Sequence, residues 1–391
     1  MPALRRLSEE GLVDIVALCS RTEESLLSAQ ILIGSKVALY TDLDAMLANE
    51  DIDVVDLVLP TPIIGSAIKK SFAAGKHVIS EKPCSPTVDT CKELIAALDA
   101  SDHDVTWSVA ENWPFKSSVR AIKNILDTQI LGGVKNVNFT YKSPGWGAAG
   151  HGWRTGQNFK GGYLLDSGVH FVSMLRYLFG EIKEVDASVG WHEASRVADK
   201  VTAKVLYENN TEGQFLLDFT QAQGKDDPYH LVAEFDNGFL TANFIGNQIL
   251  LKAGNNTQVV NVSDDPWVQG GVYAMLRHCC ESLTNGTPTS CTPVEGLRDV
   301  AAIEAMLESH RISRPVMPTL LHKQLNGCAS RLSTYGNLYI SKPQHLVAAR
   351  SISDVRVALK EAASHGLKVR AVGAGNNWTT YSSTKDVAID V

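Results

Sequence analysis

The chain has no apolar run long enough to span a bilayer, and its amino terminus, Met1-Pro2-Ala3-Leu4-Arg5-Arg6-Leu7-Ser8-Glu9-Glu10, lacks the apolar core of a signal peptide. It also has no long Lys/Arg cluster, and a formal net charge of -7 over 391 residues disfavours a nucleic-acid surface. Its seven cysteines are odd in number and lack framework-like spacing, which argues against a secreted disulfide scaffold and for a reducing compartment. Cys279-Cys280 is the only pair that invites a metal or redox reading, yet adjacent positions on a helical stretch point to different faces. Cys91 falls in the apolar stripe Val88, Cys91, Leu94, Ile95 and Leu98, where core packing accounts for it. Asn-x-Ser/Thr sites such as Asn138-Phe139-Thr140 mean little without secretion. These absences leave a cytoplasmic protein with a small-molecule partner, no nucleic acid, no membrane and no metal site.

What is present is ordinary globular composition, 44% hydrophobic and 20% charged, in a chain long enough for two or three cores. Up to Trp113, strands alternate with helices. The apolar runs Val13–Leu18, Val54–Leu59, His77–Ser80 and Val105–Val109 read as buried parallel strands. Sheets of this kind take ligands outside the carboxyl ends of their strands. Lys82 stands just past such an end in Gly75-Lys76-His77-Val78-Ile79-Ser80-Glu81-Lys82-Pro83, with Pro83 biasing it toward an extended conformation. The competing reading is a solvated turn lysine, since lysines are mostly exposed. At the end of Val13–Leu18 come Ser20, Arg21 and Thr22. An acidic residue at this corner of a Rossmann fold holds the ribose hydroxyls of NAD, whereas an arginine accommodates the extra phosphate of NADP. A fixed cation beside hydroxyl donors suits a phosphate monoester, against the plainer reading of an exposed loop arginine.

From Lys135 the pattern changes to alternating runs, Val137–Tyr141, Val201–Tyr207, Gly213–Phe219 and Phe239–Phe244, joined by turns at Glu208–Gly213 and Asp236-Asn237-Gly238. This predicts an α+β domain with a largely antiparallel sheet. Within it, Tyr163 to Gly180 has helical periodicity. Asp166 and His170, four apart, then share a face, and a carboxylate beside an imidazole can orient a general base. A capping pair, a surface pair or half of a metal site would have the same spacing. Ser313–Thr319 punctuates the end of the last helix of this region. The predicted organisation is a dinucleotide-binding domain over 1–113, a substrate and oligomerisation domain over 114–315, a linker over 316–335, and a short α/β fragment over 336–391.

Together these residues resemble the Gfo/Idh/MocA oxidoreductases. The matching pieces are collinear: Gly75–Val78 with Glu81-Lys82-Pro83, Val109-Ala110-Glu111-Asn112-Trp113, Gly161-Gly162 to His170, and Pro293–Asp299. The resemblance implies a catalytic trio of Lys82, Asp166 and His170. His170 would take the alcohol proton, Lys82 would favour the oxygen as it becomes alkoxide-like, and Asp166 would orient the site. Cofactor contacts are expected at Ser20, Arg21, Thr22, Pro60, Thr61, Glu81, Lys82, Pro83 and Asn112. The family's proline-asparagine segment is replaced here by Pro60-Thr61-Pro62-Ile63-Ile64. The implied activity is hydride transfer between NADP, or NAD, and a sugar, polyol or cyclic diol, and the broad sheet face implies a homo-oligomer. A non-catalytic cofactor-binding scaffold on the same fold is the rival reading.

Two further expectations concern the ends. Leu367 to Trp378, with Gly373-Ala374-Gly375-Asn376-Asn377, resembles the start of the FAD-binding domain of sugar-lactone and vanillyl-alcohol oxidases, with asparagine where that family often has histidine. On that resemblance FAD would bind only if the domain were complete, and a flavin-linked oxidase fusion is a second rival. No Gly-x-Gly-x-x-Gly precedes Val13–Leu18, so the Rossmann-type sheet is expected to lack its first strand, with weak nicotinamide binding and poor stability as the consequence.

Overall fold

Five short parallel strands carry the amino-terminal region in a computed structural model that describes residues 2–143, 161–191, 197–220, 229–244, 247–263 and 265–318, with short stretches beyond residue 331. Strands β1 (Ala17–Cys19) and β2 (Ala38–Tyr40) pair in parallel, and β3 (Val54–Leu57), β4 (His77–Ser80) and β5 (Trp107–Val109) form a second parallel set in that order. Among the described residues no pairing joins β1 to β3. The strand predicted from Val13 shortens to Ala17–Cys19 because Leu12 and Val13 pack into an apolar cluster with Leu7, Phe115, Met275 and Cys279 instead of joining the ladder.

Helix α1 (Pro2–Glu9) precedes β1, α2 (Glu23–Ile33) and α3 (Leu43–Leu47) flank β2, α4 (Thr61–Ala73) links β3 to β4, and α5 (Val88–Asp99) links β4 to β5. Their starts follow from local chemistry. Thr22, Asp42 and Thr87 accept hydrogen bonds from Ser25, Ala45 and Thr90 N–H, which satisfies donors that a first turn leaves bare. Buried Ile64, Ile68 and Phe72 of α4 and Leu94 of α5 lie in the core with Val78 and Trp107, whose indole N–H donates to Ser80 Oγ at 2.8 Å.

After α6 (Ser117–Asp127), β6 (Val134–Lys142) enters an eight-stranded sheet. The order is β13-β12-β11-β10-β6-β9-β8-β7, with β7 (Ile182–Trp191), β8 (Ala198–Tyr207), β9 (Glu212–Asp218), β10 (Tyr229–Phe235), β11 (Gly238–Asn243), β12 (Gln248–Ala253) and β13 (Asn256–Asn261). Every pairing is antiparallel except β6 with β9. The expected turns stand at Asp236-Asn237, which bring Phe235 opposite Gly238, and between β8 and β9.

Helices α7 (Gly162–Asp166), α8 (Gly168–Phe179), α9 (Pro266–Gln269), α10 (Val272–Asn285) and α11 (Pro293–Ile312) complete the region. The last of these packs against α8, β7, α5 and β5, so one helix braces the parallel strands and the large sheet together. The chain divides into two compact units, Met1–Val316 and Met317–Val391. In the second, Val387–Asp390 pairs in parallel with both His345–Ala348 and Val369–Val372. The glycine loop at 373–377 lies outside the described residues. No described helix is long and apolar enough to cross a membrane.

Candidate active site

Lys82 sits two residues beyond β4, where Glu81 N–H still donates to Leu57 O at 3.0 Å and so continues the parallel ladder. The Lys82–Pro83 peptide is cis. The lysine side chain is 16% exposed, and its Nζ donates to Asp166 O at 2.7 Å and lies 3.3 Å from Asp166 Oδ1. Two of the three predicted catalytic residues, distant in sequence, are therefore in direct contact.

Asp166 and His170 do not stand on one continuous helix as their spacing predicted. The helical run breaks at Ser167, where φ is -101° and ψ is -33°, so Asp166 ends α7 while His170 lies in the first turn of α8. The i,i+4 rule assumes an unbroken 3.6-residue period, and the break turns the two side chains to different neighbours. Asp166 meets Lys82. The carboxylate that meets the imidazole is Glu111, whose Oε1 and Oε2 both lie 2.9 Å from His170 Nδ1.

Glu111 stands in the turn after β5, held there by Ala110 N–H donating to Ser80 O at 2.7 Å, and Glu111 Oε1 also accepts Trp113 N–H at 2.9 Å. It is buried, and His170 is only 19% exposed. The Trp113 ring stacks on the His170 ring at 5.8 Å between centroids, and Lys116 Nζ lies 4.6 Å from the centroid of the same indole. Burial pulls the Lys116 ammonium below the usual lysine range, with the Glu111 charge opposing the shift. Sequence reasoning gave Glu111 and Trp113 no role of their own. A charged residue ending the apolar run Trp107–Ala110, at the same carboxyl edge as Lys82, was the available signal.

Behind α8 lies a cavity of about 400 Å³, lined among others by Glu111, Ser173, Arg176, Glu295 and Asp299. Arg176 grips Glu181 with two bonds of 2.9 Å, donates to Glu295 Oε2 at 2.6 Å and to Glu295 O at 3.2 Å, and bonds Asp299 Oδ1. Burial pushes the Asp299 carboxyl up to about 8 against the pull of the guanidinium. This network fixes α8 against the start of α11. Cys84, two residues past Lys82, is buried with its sulfur 3.1 Å from that of Cys91, and burial pushes its thiol well above the usual range.

The predicted cofactor residues divide. Ser20, Arg21 and Thr22 stand at the carboxyl end of β1, where Arg21 is exposed, but the Thr22 hydroxyl is already engaged in capping α2. Pro60 and Thr61 open α4 at the carboxyl end of β3, next to the Glu81–Pro83 turn in the ladder, and Thr61 is buried. Glu81 Oε2 accepts from Lys82 N–H at 3.2 Å. Asn112 Nδ2 donates to Gly270 O at 2.6 Å, which ties the turn after β5 to the loop before α10. The groups at these strand ends are an exposed guanidinium and a hydroxyl after β1 and an ammonium after β4. Among the described residues, no group of three or more His, Cys, Asp or Glu is placed to hold a metal ion.

Comparison with known proteins agrees with this architecture. The family model described as an oxidoreductase family with an NAD-binding Rossmann fold matches residues 2–109, and the GFO/IDH/MocA C-terminal domain matches residues 119–240. Dehydrogenase FPY6 of Fusarium mangiferae is 26% identical over 335 residues, covering 79% of this chain and 91% of the relative. The scyllo-inositol 2-dehydrogenase (NADP(+)) IolW of Bacillus subtilis is 25% identical, covering 67% of this chain and 79% of the relative. An oxidoreductase from Thermotoga maritima superimposes with a TM-score of 0.71 at 24% identity, covering 81% of this chain and 93% of that one. Neither family match extends past residue 240, and the comparisons give no support to the flavin-type reading of the last residues. With both halves matched in order, and with parallel and antiparallel sheets disposed as described, the chain belongs to the Gfo/Idh/MocA family of oxidoreductases.

Proposed function

We propose that this chain is an NADP-dependent dehydrogenase of a sugar, polyol or cyclic diol, with its chemistry at Lys82, Asp166 and His170. The observation that carries the reading is the Lys82–Asp166 contact at the carboxyl edge of β4, where α/β sheets take their ligands. Its two bonds to Asp166 leave the Lys82 ammonium one further N–H to donate to a developing alkoxide. The nicotinamide, when bound, supplies the hydride acceptor or donor.

In this reading Lys82 donates a hydrogen bond to the substrate oxygen and stabilises negative charge there as the carbonyl forms, in a setting where water is largely excluded. Asp166 orients the ammonium through its own carbonyl and carboxylate oxygens. His170 takes the hydroxyl proton at a ring nitrogen and returns it in the reverse direction. Ser20 and Arg21 would hold the 2′-phosphate end, in keeping with the NADP in the name of the B. subtilis relative. That relative's substrate is a cyclic polyol by name, which supports the same substrate class here.

The test is a dehydrogenase screen of sugars, polyols and cyclic diols with both nicotinamides on the full chain, followed by Lys82→Ala and His170→Ala on the best substrate. Each variant should lose about a hundredfold to ten-thousandfold in turnover with its fold intact. Near-native turnover in either would refute the assignment.

A further inference from the structure

Glu111 places both carboxylate oxygens 2.9 Å from His170 Nδ1, and one of them also accepts the Trp113 backbone N–H at 2.9 Å. An ionised carboxylate can only accept hydrogen bonds. Contacts of that length to both oxygens therefore require a proton on Nδ1, because a bare ring nitrogen would set lone pair against lone pair. A neutral imidazole with its proton on Nδ1 carries its lone pair on Nε2.

We propose that Glu111 is the positioning residue of the site, holding His170 as the Nδ1–H tautomer so that Nε2 is the nitrogen that accepts the substrate proton; this rests on the dehydrogenase reading above. When Nε2 takes the proton, the ring becomes a cation with the Glu111 charge already beside it. The surroundings suit that arrangement. Trp113 stacks on the ring and limits its rotation, and its own N–H fixes the carboxylate. Charged groups face Glu111 from the neighbouring elements: Lys116 from the start of α6, and Asp299 of α11 with Arg176 of α8 across the cavity that Glu111 also lines. Of these, Lys116 is a cation whose charge interacts with Glu111.

The tautomer is read directly by nitrogen NMR of the full chain carrying ¹⁵N-labelled histidine, with the His170 signals identified by their loss in His170→Gln. At a pH where the ring is neutral, the wild type should show a protonated Nδ1 and a bare Nε2. In Glu111→Gln the amide has one acceptor oxygen, which Trp113 N–H takes, and an NH₂ that donates to Nδ1, so the ring should move to the Nε2–H tautomer. A wild-type spectrum with Nε2 protonated overturns the proposal, as does a Glu111→Gln spectrum unchanged from wild type. The wild-type measurement needs no variant, so it stands even if Glu111→Gln folds poorly. In the kinetic arm, Glu111→Gln should lower kcat by about a hundredfold or more and leave KM for the alcohol nearly unchanged. An equal rise in KM with kcat preserved would count against it. If no substrate is ever turned over, the dehydrogenase reading fails while the NMR arm still decides the role of Glu111.

Discussion

Replacing Arg176 with methionine should destabilise the protein, and by an amount that grows with pH. Arg176 makes five hydrogen bonds to Glu181, Glu295 and Asp299, with its own side chain 5% exposed. The three carboxylates fare differently without it. Glu295 is 47% exposed and Glu181 26%, so water takes over much of what they lose, whereas Asp299 at 5% is stranded. Removing one partner of a buried pair costs about 3–5 kcal/mol. At neutral pH the cost belongs at the lower end, about 3 kcal/mol, because burial already pushes the Asp299 carboxyl up to about 8 and much of it stays protonated. The sign follows from linkage. A carboxyl whose folded value is raised destabilises progressively from its unfolded value near 3.8 up to about 8, and the effect is constant above that. Without the guanidinium the folded value rises further, so in the variant the loss continues past pH 8 where the wild type has levelled off. Thermal unfolding at pH 7 and pH 9 measures both parts. The expected outcome is a melting point lower by about 5 °C at pH 7 and a larger deficit at pH 9. A cost under about 1 kcal/mol at both pH values, or one that shrinks as pH rises, would show that the network does not hold α8 against α11 as described.

Gly213 lies in β9 where it runs parallel to β6, and a Cβ there would come within 2.1 Å of Val137 O. Gly213→Ala should therefore force the central strands apart and cost about 3 kcal/mol, read as a shift in the denaturation midpoint; an unchanged midpoint would contradict the close approach. Arg21 stands exposed at the end of β1, so Arg21→Ala should weaken NADP binding by about tenfold or more and leave NAD binding unaltered. Titration of both nicotinamides into wild type and variant checks it, and equal wild-type affinities would remove the basis for an NADP preference.

The parallel strands were legible because a buried strand needs only a short apolar run, and Val54–Leu57, His77–Ser80 and Trp107–Val109 each have one. Strand β2 went unread because Ala38-Leu39-Tyr40 is three residues long and mostly exposed, too short for periodicity to register. In the large sheet, alternation and the Asp236-Asn237 turn gave the antiparallel character. The single parallel pairing of β6 with β9 was not readable, since it depends on which strands meet across a long stretch of chain and not on any local pattern.

The site divides along the same line. Lys82 was singled out by its strand-end position, Asp166 and His170 by their spacing, and the trio by family resemblance, but the Asp166–His170 pairing expected from that spacing is replaced by Lys82–Asp166 and His170–Glu111 contacts. Tyr163 to Phe179 keeps an apolar helical pattern through Ser167, so nothing in the period marks the break between α7 and α8. The break decides the partners. It releases Asp166 to Lys82 from β4, and it leaves His170 to a glutamate from the turn after β5, each partner supplied by the parallel strands. Under the proposed function, a base and the group that orients it are held by different layers of the fold. In that reading the packing of those layers, braced by α11 and the Arg176 network, bears on the site as well as the side chains do.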